Sequence, residues 1–268
     1  MKDYKAFFGL SGSAFTRAIE PKDIYRHPQL EEWHYYLGNA IQAGAVAVLT
    51  GPVGTGKSTA LRAFLSELDP AQHAVLYVGY TASDRALFRE IAQGLGLSPA
   101  YLKGDLVVQL HTAIEHAWMG KGRRTLLVVD DAHLLSDALL VELRQLLNFQ
   151  MDSATPLGLV LVGQPPLRAR LKDPQHEALF QRAPIRYTMA GLSRSETAAF
   201  ISAHMRAVEG DPDVFAEEAA DLIFQQSKGI PREICNLCLY ALIRAGWNNT
   251  RVVDRTIVEE VIRAQSAQ

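Results

Sequence analysis

The chain has 268 residues, of which 48% are hydrophobic and 21% are charged, and its formal net charge is −2. This composition indicates a globular protein with room for one large domain, or for one large and one small domain, and excludes a protein that coats nucleic acid by bulk charge. No apolar run approaches the roughly 18 to 20 residues that cross a membrane, and the N-terminal segment has no apolar signal-peptide core, so we expect a cytoplasmic protein without a membrane partner.

Apolar runs with strand character alternate with segments of helical periodicity. The runs are continuous, which is typical of strands covered on both faces. The predicted strands are 45–50, 74–80, 125–130, 157–163 and 185–189. The predicted helices between them are 29–43, 58–68, 84–95, 105–119 and 136–150. This alternation predicts an α/β fold with a mostly parallel five-stranded sheet between helices.

The pattern changes near Gly191, where helices alone follow. Ser193 and Glu196 have the spacing of a capping box at the start of a helix. The helices predicted after this point are 194–208, 216–227, 231–245 and 254–265. The sequence therefore predicts an α/β nucleotide-binding domain at 1–190 and a small all-helical lid domain at 191–268.

Two cysteines, Cys235 and Cys238, have C-x-x-C spacing. The spacing is open to three interpretations: half of a zinc site, a redox pair, or two small buried residues on one helix face. Zinc needs two further ligands, and a redox pair needs a thioredoxin-like context. The buried pair is the favoured interpretation.

The segment "GPVGTGKST" follows the first predicted strand and opens a helix. It fits the phosphate-binding pattern G-x-x-x-x-G-K-[ST], in which backbone N–H groups wrap phosphates, the Lys reaches the β- and γ-phosphates and the Ser binds Mg²⁺. The alternative is an ordinary Gly-rich turn. The predicted nucleotide-binding residues are Gly51, Pro52, Val53, Gly54, Thr55, Gly56, Lys57, Ser58 and Thr59.

An acid pair, Asp130 and Asp131, ends the third predicted strand. Strand C-termini line the ligand crevice of a doubly wound sheet, so we expect Asp130 to hold Mg²⁺ together with Ser58. Asp131 could polarise the attacking water, or it could be a capping or solvated acid. Where related hydrolases have Glu, the shorter Asp falls short by about 1.5 Å unless the backbone shifts, and a misplacement of ~1 Å can cost ~10²-fold in rate.

With these motifs placed, the chain resembles the AAA+ ATPases of the ExeA/GspA type. More closely, it resembles the stand-alone ATPases of insertion sequences and transposons, the relatives of TniB, TnsC and the phage Mu target selector. The resemblance covers nearly the whole chain. It rests on the ordered segments "FFGLSGSAF" (with Ala14 in the usual place of Pro), "TGPVGTGKS", "VVDDAHLLS", "LVLVGQPPLR" and "GIPREICNL".

The resemblance implies roles for three further polar residues. Gln164 matches the sensor-1 position, Arg182 matches an arginine presented to the γ-phosphate of a neighbouring subunit, and Arg232 matches sensor 2 on the lid. Ordinary surface ion pairs are the alternative for both arginines. "FFGLSGSAF" either covers the adenine or anchors the N-terminus to the core.

The resemblance also implies what the ATP is for. We predict slow hydrolysis by Lys57, Asp131 and Arg182, with ATP assembling a homo-oligomer, as a ring or a filament, on double-stranded DNA to recruit a transposase. ExeA/GspA proteins continue into a membrane segment and a peptidoglycan-binding module, and their absence here favours transposition over the alternative, a secretion-assembly ATPase. A nucleotide-dependent scaffold with negligible hydrolysis is another alternative.

The predicted DNA contacts are Lys103, Lys121, Arg123 and Arg124, each of which could instead be a solvated basic residue.

Overall fold

The structure is a computed structural model, and it describes residues 3–16, 18–79 and 83–266. The chain is divided into two compact units. The sheet unit comprises residues 29–53 and 60–189, and the helical unit comprises residues 1–28, 54–59 and 190–268.

A five-stranded, wholly parallel sheet forms the centre of the sheet unit, in the order β2-β3-β4-β1-β5. The strands are β1 (Val46–Thr50), β2 (His73–Val78), β3 (Arg124–Val129), β4 (Leu157–Gly163) and β5 (Ile185–Thr188). Every residue of β1 and β4 is buried, whereas the edge strands β2 and β5 are partly exposed. The continuous apolar runs therefore correspond to strands covered on both faces, and the predicted parallel α/β sheet is confirmed.

Helices cover this sheet and pack their apolar faces against it. They are α2 (Pro28–Ala43), α3 (Lys57–Glu67), α4 (Asp84–Gly94), α5 (Lys103–Lys121), α6 (Asp137–Leu146), α7 (Pro166–Arg170) and α8 (Glu177–Gln181). The five-residue helices α7 and α8 were not predicted, because so short a segment shows no periodicity. Helix α6 ends earlier than predicted, ahead of a turn in which Gln150 and Met151 both have positive φ.

The helical unit contains α1 (Tyr4–Phe8), α9 (Arg194–Arg206), α10 (Glu217–Ser227), α11 (Pro231–Asn248) and α12 (Arg255–Ser266). The predicted capping box is present: the Ser193 side chain accepts from Glu196 N–H, and Glu196 accepts from Ser193 N–H. None of the helices in the described ranges is both long and apolar enough to span a bilayer.

The N-terminal segment packs into the core of the helical unit. Phe15 is 5% exposed, its ring stacks on His204 at a centroid distance of 5.4 Å, and it meets Phe215 edge-on at 5.7 Å. Burial lowers the pKa of His204 to about 4, so this imidazole is neutral within the core. These contacts support the anchoring interpretation of "FFGLSGSAF".

The cysteine pair also belongs to this core. Both thiols lie on α11, and burial raises the pKa of Cys235 to about 12 and that of Cys238 well above its usual value. Across the described ranges, His, Cys, Asp and Glu form no group of three or more that could hold a metal ion. Cys238 is therefore a buried core residue, and Cys235 is a half-buried residue packed against the same core, in agreement with the favoured interpretation.

Gly229 generates a stability prediction, because it combines positive φ with a close contact. Its φ is +73°, and an added Cβ would lie 1.9 Å from the Leu192 carbonyl oxygen, whereas Gly9 has φ +71° with nothing within 4 Å of the same point. We expect Gly9→Ala to lower the free energy of unfolding by about 1–2 kcal/mol through its left-handed backbone alone. Gly229→Ala should cost at least about 1–3 kcal/mol more, because the carbonyl must move. Urea unfolding of both variants measures the difference, and equal losses would refute the close contact.

Candidate functional site

The phosphate loop connects β1 to α3. Gly54 and Gly56 have φ of +85° and +89°, a backbone conformation that other residues adopt only with strain. Thr55 between them is 2% exposed. Lys57 and Ser58 are the first two residues of α3, so their backbone N–H groups belong to the positively polarised end of the helix. The strand, loop and helix context predicted for this motif is therefore present.

The loop residue Gly54 contacts the start of α11 within the helical unit. The Arg232 N–H donates to the Gly54 carbonyl at 3.2 Å. An added Cβ at Gly54 would lie 2.9 Å from the Arg232 Cβ and 3.0 Å from the Ile230 Cγ2. The structure thus brings the predicted sensor-2 residue to the phosphate loop, at a point where no side chain other than hydrogen fits.

The acid pair lies at the carboxyl end of β3. Asp130 is 8% exposed, and its Oδ1 accepts the Asp131 N–H at 2.8 Å while its Oδ2 accepts the Tyr77 hydroxyl at 2.7 Å. Burial and, next in size, this hydrogen bond to Asp130 raise the pKa of Tyr77 well above its usual range. Tyr77 was missed in the sequence, because the register that places β2 beside β3 cannot be read from either strand alone.

Asp131 has a different environment from its neighbour. Its side chain is 59% exposed, and its backbone lies in the left-handed region with φ 50° and ψ 32°, a conformation that Asp tolerates better than most residues. The His133 Nδ1 lies 3.8 Å from its Oδ1. The pair is therefore divided into one buried, fixed carboxylate and one that is open to water.

Gln164 directly follows β4, next to the turn after the acid pair. An added Cβ at Gly163, the residue before it, would lie 3.1 Å from the His133 backbone nitrogen. Because β3 and β4 are parallel neighbours, Asp130 and Gln164 leave the sheet at the same edge. The predicted sensor-1 residue is thus beside the acid pair.

A second polar network, also missed in the sequence, ties this turn to the segment that leads to Arg182. Arg170 donates to the His133 carbonyl at 3.0 Å and to the Asp137 Oδ1 at 2.5 Å, and the buried His176 ring meets the same Oδ1 at 3.0 Å. The hydrogen bonds from Arg170 and then His176 lower the pKa of Asp137 to about 2. Asp137 thus remains ionised at any ordinary pH and holds the network together.

Arg182 lies beside the amino end of β1. Its carbonyl accepts the N–H of Val46, the first residue of β1, at 3.0 Å, whereas the loop begins after Thr50, the last residue. At ~3.3 Å per residue, Val46 and Thr50 are about 13 Å apart along the strand. Within the sheet unit, Arg182 therefore lies at the amino end of β1, whereas the loop follows the carboxyl end of that strand.

The four predicted DNA contacts do not form one patch. Lys103 begins the 19-residue helix α5 and pairs with Glu142, whereas Lys121 ends it, about 27 Å away at ~1.5 Å per residue. The Lys121 side chain lies outside what the structure describes.

The Arg124 guanidinium donates to the carbonyls of Ile41 and Gln42 and lies 4.8 Å from the Trp118 ring centroid. Arg123 beside it is half-buried.

The amino-acid sequence is similar to one family model and to a secretion protein. Residues 41–171 match a family model described as an AAA domain. The chain has an AAA+ fold. It is 32% identical, over 246 residues, to General secretion pathway protein A of Aeromonas hydrophila, a match that covers 90% of this chain and 45% of that relative. This AAA+ chain therefore spans about half the length of the curated relative that it matches.

Two solved structures share the AAA+ fold at low identity. The ORC2 protein of Aeropyrum pernix, solved as ADPNP–ADP complexes, has a TM-score of 0.69 and 15% identity, and the match covers 93% of this chain and 70% of that one. The ORC1 protein of the same organism, solved in complex with DNA, has a TM-score of 0.67 and 16% identity, with 91% and 66% coverage. Identities this low show the fold alone.

The similarity to General secretion pathway protein A supports an AAA+ domain of the ExeA/GspA type. The closer kinship with transposition ATPases, which the motif order predicted, has no support among these relatives. Because the chain spans 45% of that secretion protein, the position of its last residue does not discriminate between secretion and transposition. The secretion-assembly alternative is therefore better supported than the main prediction.

Proposed function

We propose that this chain is the ATP-binding and slowly ATP-hydrolysing module of a secretion-assembly protein of the ExeA/GspA type, and that it works as an oligomer. The observation that carries the nucleotide assignment is the phosphate loop: its two left-handed glycines and the helix start at Lys57 provide a row of backbone donors and a cation for phosphate oxygens. The secretion assignment rests on the 32% identity over most of the chain.

The residues present fit a magnesium–nucleotide complex. Mg²⁺ prefers oxygen ligands and usually relies on one or two protein groups plus phosphates and water, in agreement with the Ser58 hydroxyl and the Asp130 carboxylate as the protein's contribution. When bound, the ion neutralises charge on the phosphates. Lys57 reaches the β- and γ-phosphates, Gln164 orients water or the γ-phosphate, and Arg232, whose N–H donates to the Gly54 carbonyl, contacts the phosphates as sensor 2.

Asp131 is the residue we assign to the attacking water. Its exposed carboxylate is open to accept a proton from water, which the buried and doubly hydrogen-bonded Asp130 is not. The left-handed backbone at Asp131 redirects the short side chain, and the shorter reach than that of Glu accounts for the slow turnover that we propose.

Asp131→Asn tests this assignment, because it preserves shape while removing the base. We expect phosphate release to fall at least about 100-fold, the usual contribution of a general base, while nucleotide affinity is unchanged. Asp131→Glu should keep or raise turnover. Asp105→Asn, at an exposed acid on α5, is the matched control and should retain wild-type turnover. Full turnover in Asp131→Asn would mean that another group activates the water.

Arg182 is assigned to the nucleotide of a neighbouring subunit, since it lies beside the amino end of β1 and the loop follows the carboxyl end of that strand. Arg182→Ala should lower turnover by about 10³-fold without weakening nucleotide binding. Arg206→Ala, at an exposed arginine on α9, should leave turnover unchanged. The decisive measurement mixes Arg182→Ala subunits with Lys57→Ala subunits, because each supplies what the other lacks. Recovered phosphate release in the mixture shows action in trans, and an inactive mixture contradicts it.

A second candidate function, assembly on duplex DNA for transposition, follows from the motif resemblance and from the fold shared with the DNA-bound ORC1 protein. The same phosphate assay and a gel shift separate the two candidates. Under the secretion assignment, turnover and assembly are independent of duplex DNA. A DNA complex that forms with ATP but not ADP, and weakens with salt as counterion release requires, would replace it with the transposition assignment.

A further inference from the structure

The carboxylate of Asp130 accepts a hydrogen bond on each oxygen. The Asp131 N–H reaches Oδ1 at 2.8 Å, and the Tyr77 hydroxyl reaches Oδ2 at 2.7 Å. An ionised carboxylate offers about four lone-pair sites, so accepting these two bonds is compatible with binding a cation. With both oxygens held, the plane of the carboxylate is fixed relative to the end of β3.

Tyr77 comes from a different strand. It lies on the edge strand β2, where it pairs in register with Val128, two residues before Asp130. The residue is 56% exposed, so its ring contributes little to the core. The specific feature of this side chain is therefore the position of its hydroxyl rather than the packing of its ring.

We propose that Tyr77 is a positioning residue for magnesium: its hydroxyl fixes the Asp130 carboxylate in the orientation that receives the ion and its bound water. This inference rests on the proposed nucleotide site. Groups that orient a metal ligand from behind affect metal affinity without touching the metal or the nucleotide. Tyr77 should accordingly set the magnesium requirement of nucleotide binding, while binding without the ion is governed by the phosphate loop.

The chain contains a matched control for the loss of one phenolic hydroxyl. Tyr187, on the other edge strand β5, donates to the Glu32 Oε2 at 2.7 Å, which is the same kind of phenol–carboxylate bond at the same length. Glu32 has no assigned part in the nucleotide site. Comparing Tyr77→Phe with Tyr187→Phe therefore separates the orientation of Asp130 from the general effect of removing a phenol–carboxylate hydrogen bond.

The test is a titration of a fluorescent, slowly hydrolysed ATP analogue, first in EDTA and then over a range of Mg²⁺ concentrations. We expect Tyr77→Phe to raise the half-saturating Mg²⁺ concentration about three- to tenfold, below the roughly 10- to 100-fold typical of fully buried orienting groups, because this hydrogen bond is only partly buried. Its affinity in EDTA should equal that of the wild type, and Tyr187→Phe should match the wild type in both conditions.

Each other outcome has a definite meaning. A wild-type magnesium requirement in Tyr77→Phe overturns the role of Tyr77 and leaves the proposed function standing. An equal loss of affinity with and without Mg²⁺ shows a structural role and also overturns it. Failure of the wild-type protein to bind the analogue in either condition overturns the proposed function itself, and this inference with it.

Discussion

Three buried, parallel, neighbouring strands determine where chemistry can occur in this protein. Because β3, β4 and β1 are parallel neighbours in that order, the segments after their carboxyl ends leave the sheet at one edge. The register pairs Thr50 with Gly163 and Val129 with Leu161, so Gly51 and Gln164 leave the sheet at one level and Asp130 lies two residues lower. Burial of the strands on both faces makes a shift of this register costly.

Burial at this edge also explains the difference between the two adjacent acids. Taking a carboxylate out of water costs several kcal/mol unless donors replace the lost hydration. Asp130 is provided with a backbone N–H and a phenol, and charge-assisted bonds of this kind contribute about 1.5–3 kcal/mol each. Asp131 remains in contact with water, so its charge needs no such compensation. One strand end thus holds a buried, hydrogen-bonded carboxylate and a water-exposed carboxylate in consecutive positions.

The sequence predicted the sheet, most of the helices and the phosphate loop, because each is determined locally. Continuous apolar runs indicate buried strands, and the glycine spacing of the loop follows from a backbone that requires positive φ. The features that were missed depend on contacts between distant parts of the chain. Tyr77 meets Asp130 through strand register, and the Asp137 network joins the turn after β3 to α7 and the segment following it.

Arg124 illustrates the same limit for charged residues. In the sequence it stands in a basic cluster that could contact DNA, whereas in the fold its guanidinium donates to the last carbonyls of α2, the negatively polarised end of that helix. Sequence reports the charge of such a residue but not its partner. The N-terminal aromatic segment is similar: its composition suited an adenine face or a core, and the burial of Phe15 with His204 and Phe215 supports the core.

The central claim is that the loop after β1 binds magnesium–ATP. Isothermal titration of ATP with Mg²⁺ into the wild-type protein, into Lys57→Ala and into Lys172→Ala, an exposed lysine of the sheet unit, tests it most directly. Loss of one charge-assisted contact to phosphate should weaken binding by at least about tenfold in Lys57→Ala, while Lys172→Ala binds as the wild type does. Equal affinity in the wild type and Lys57→Ala, or no binding by the wild type, would contradict the account.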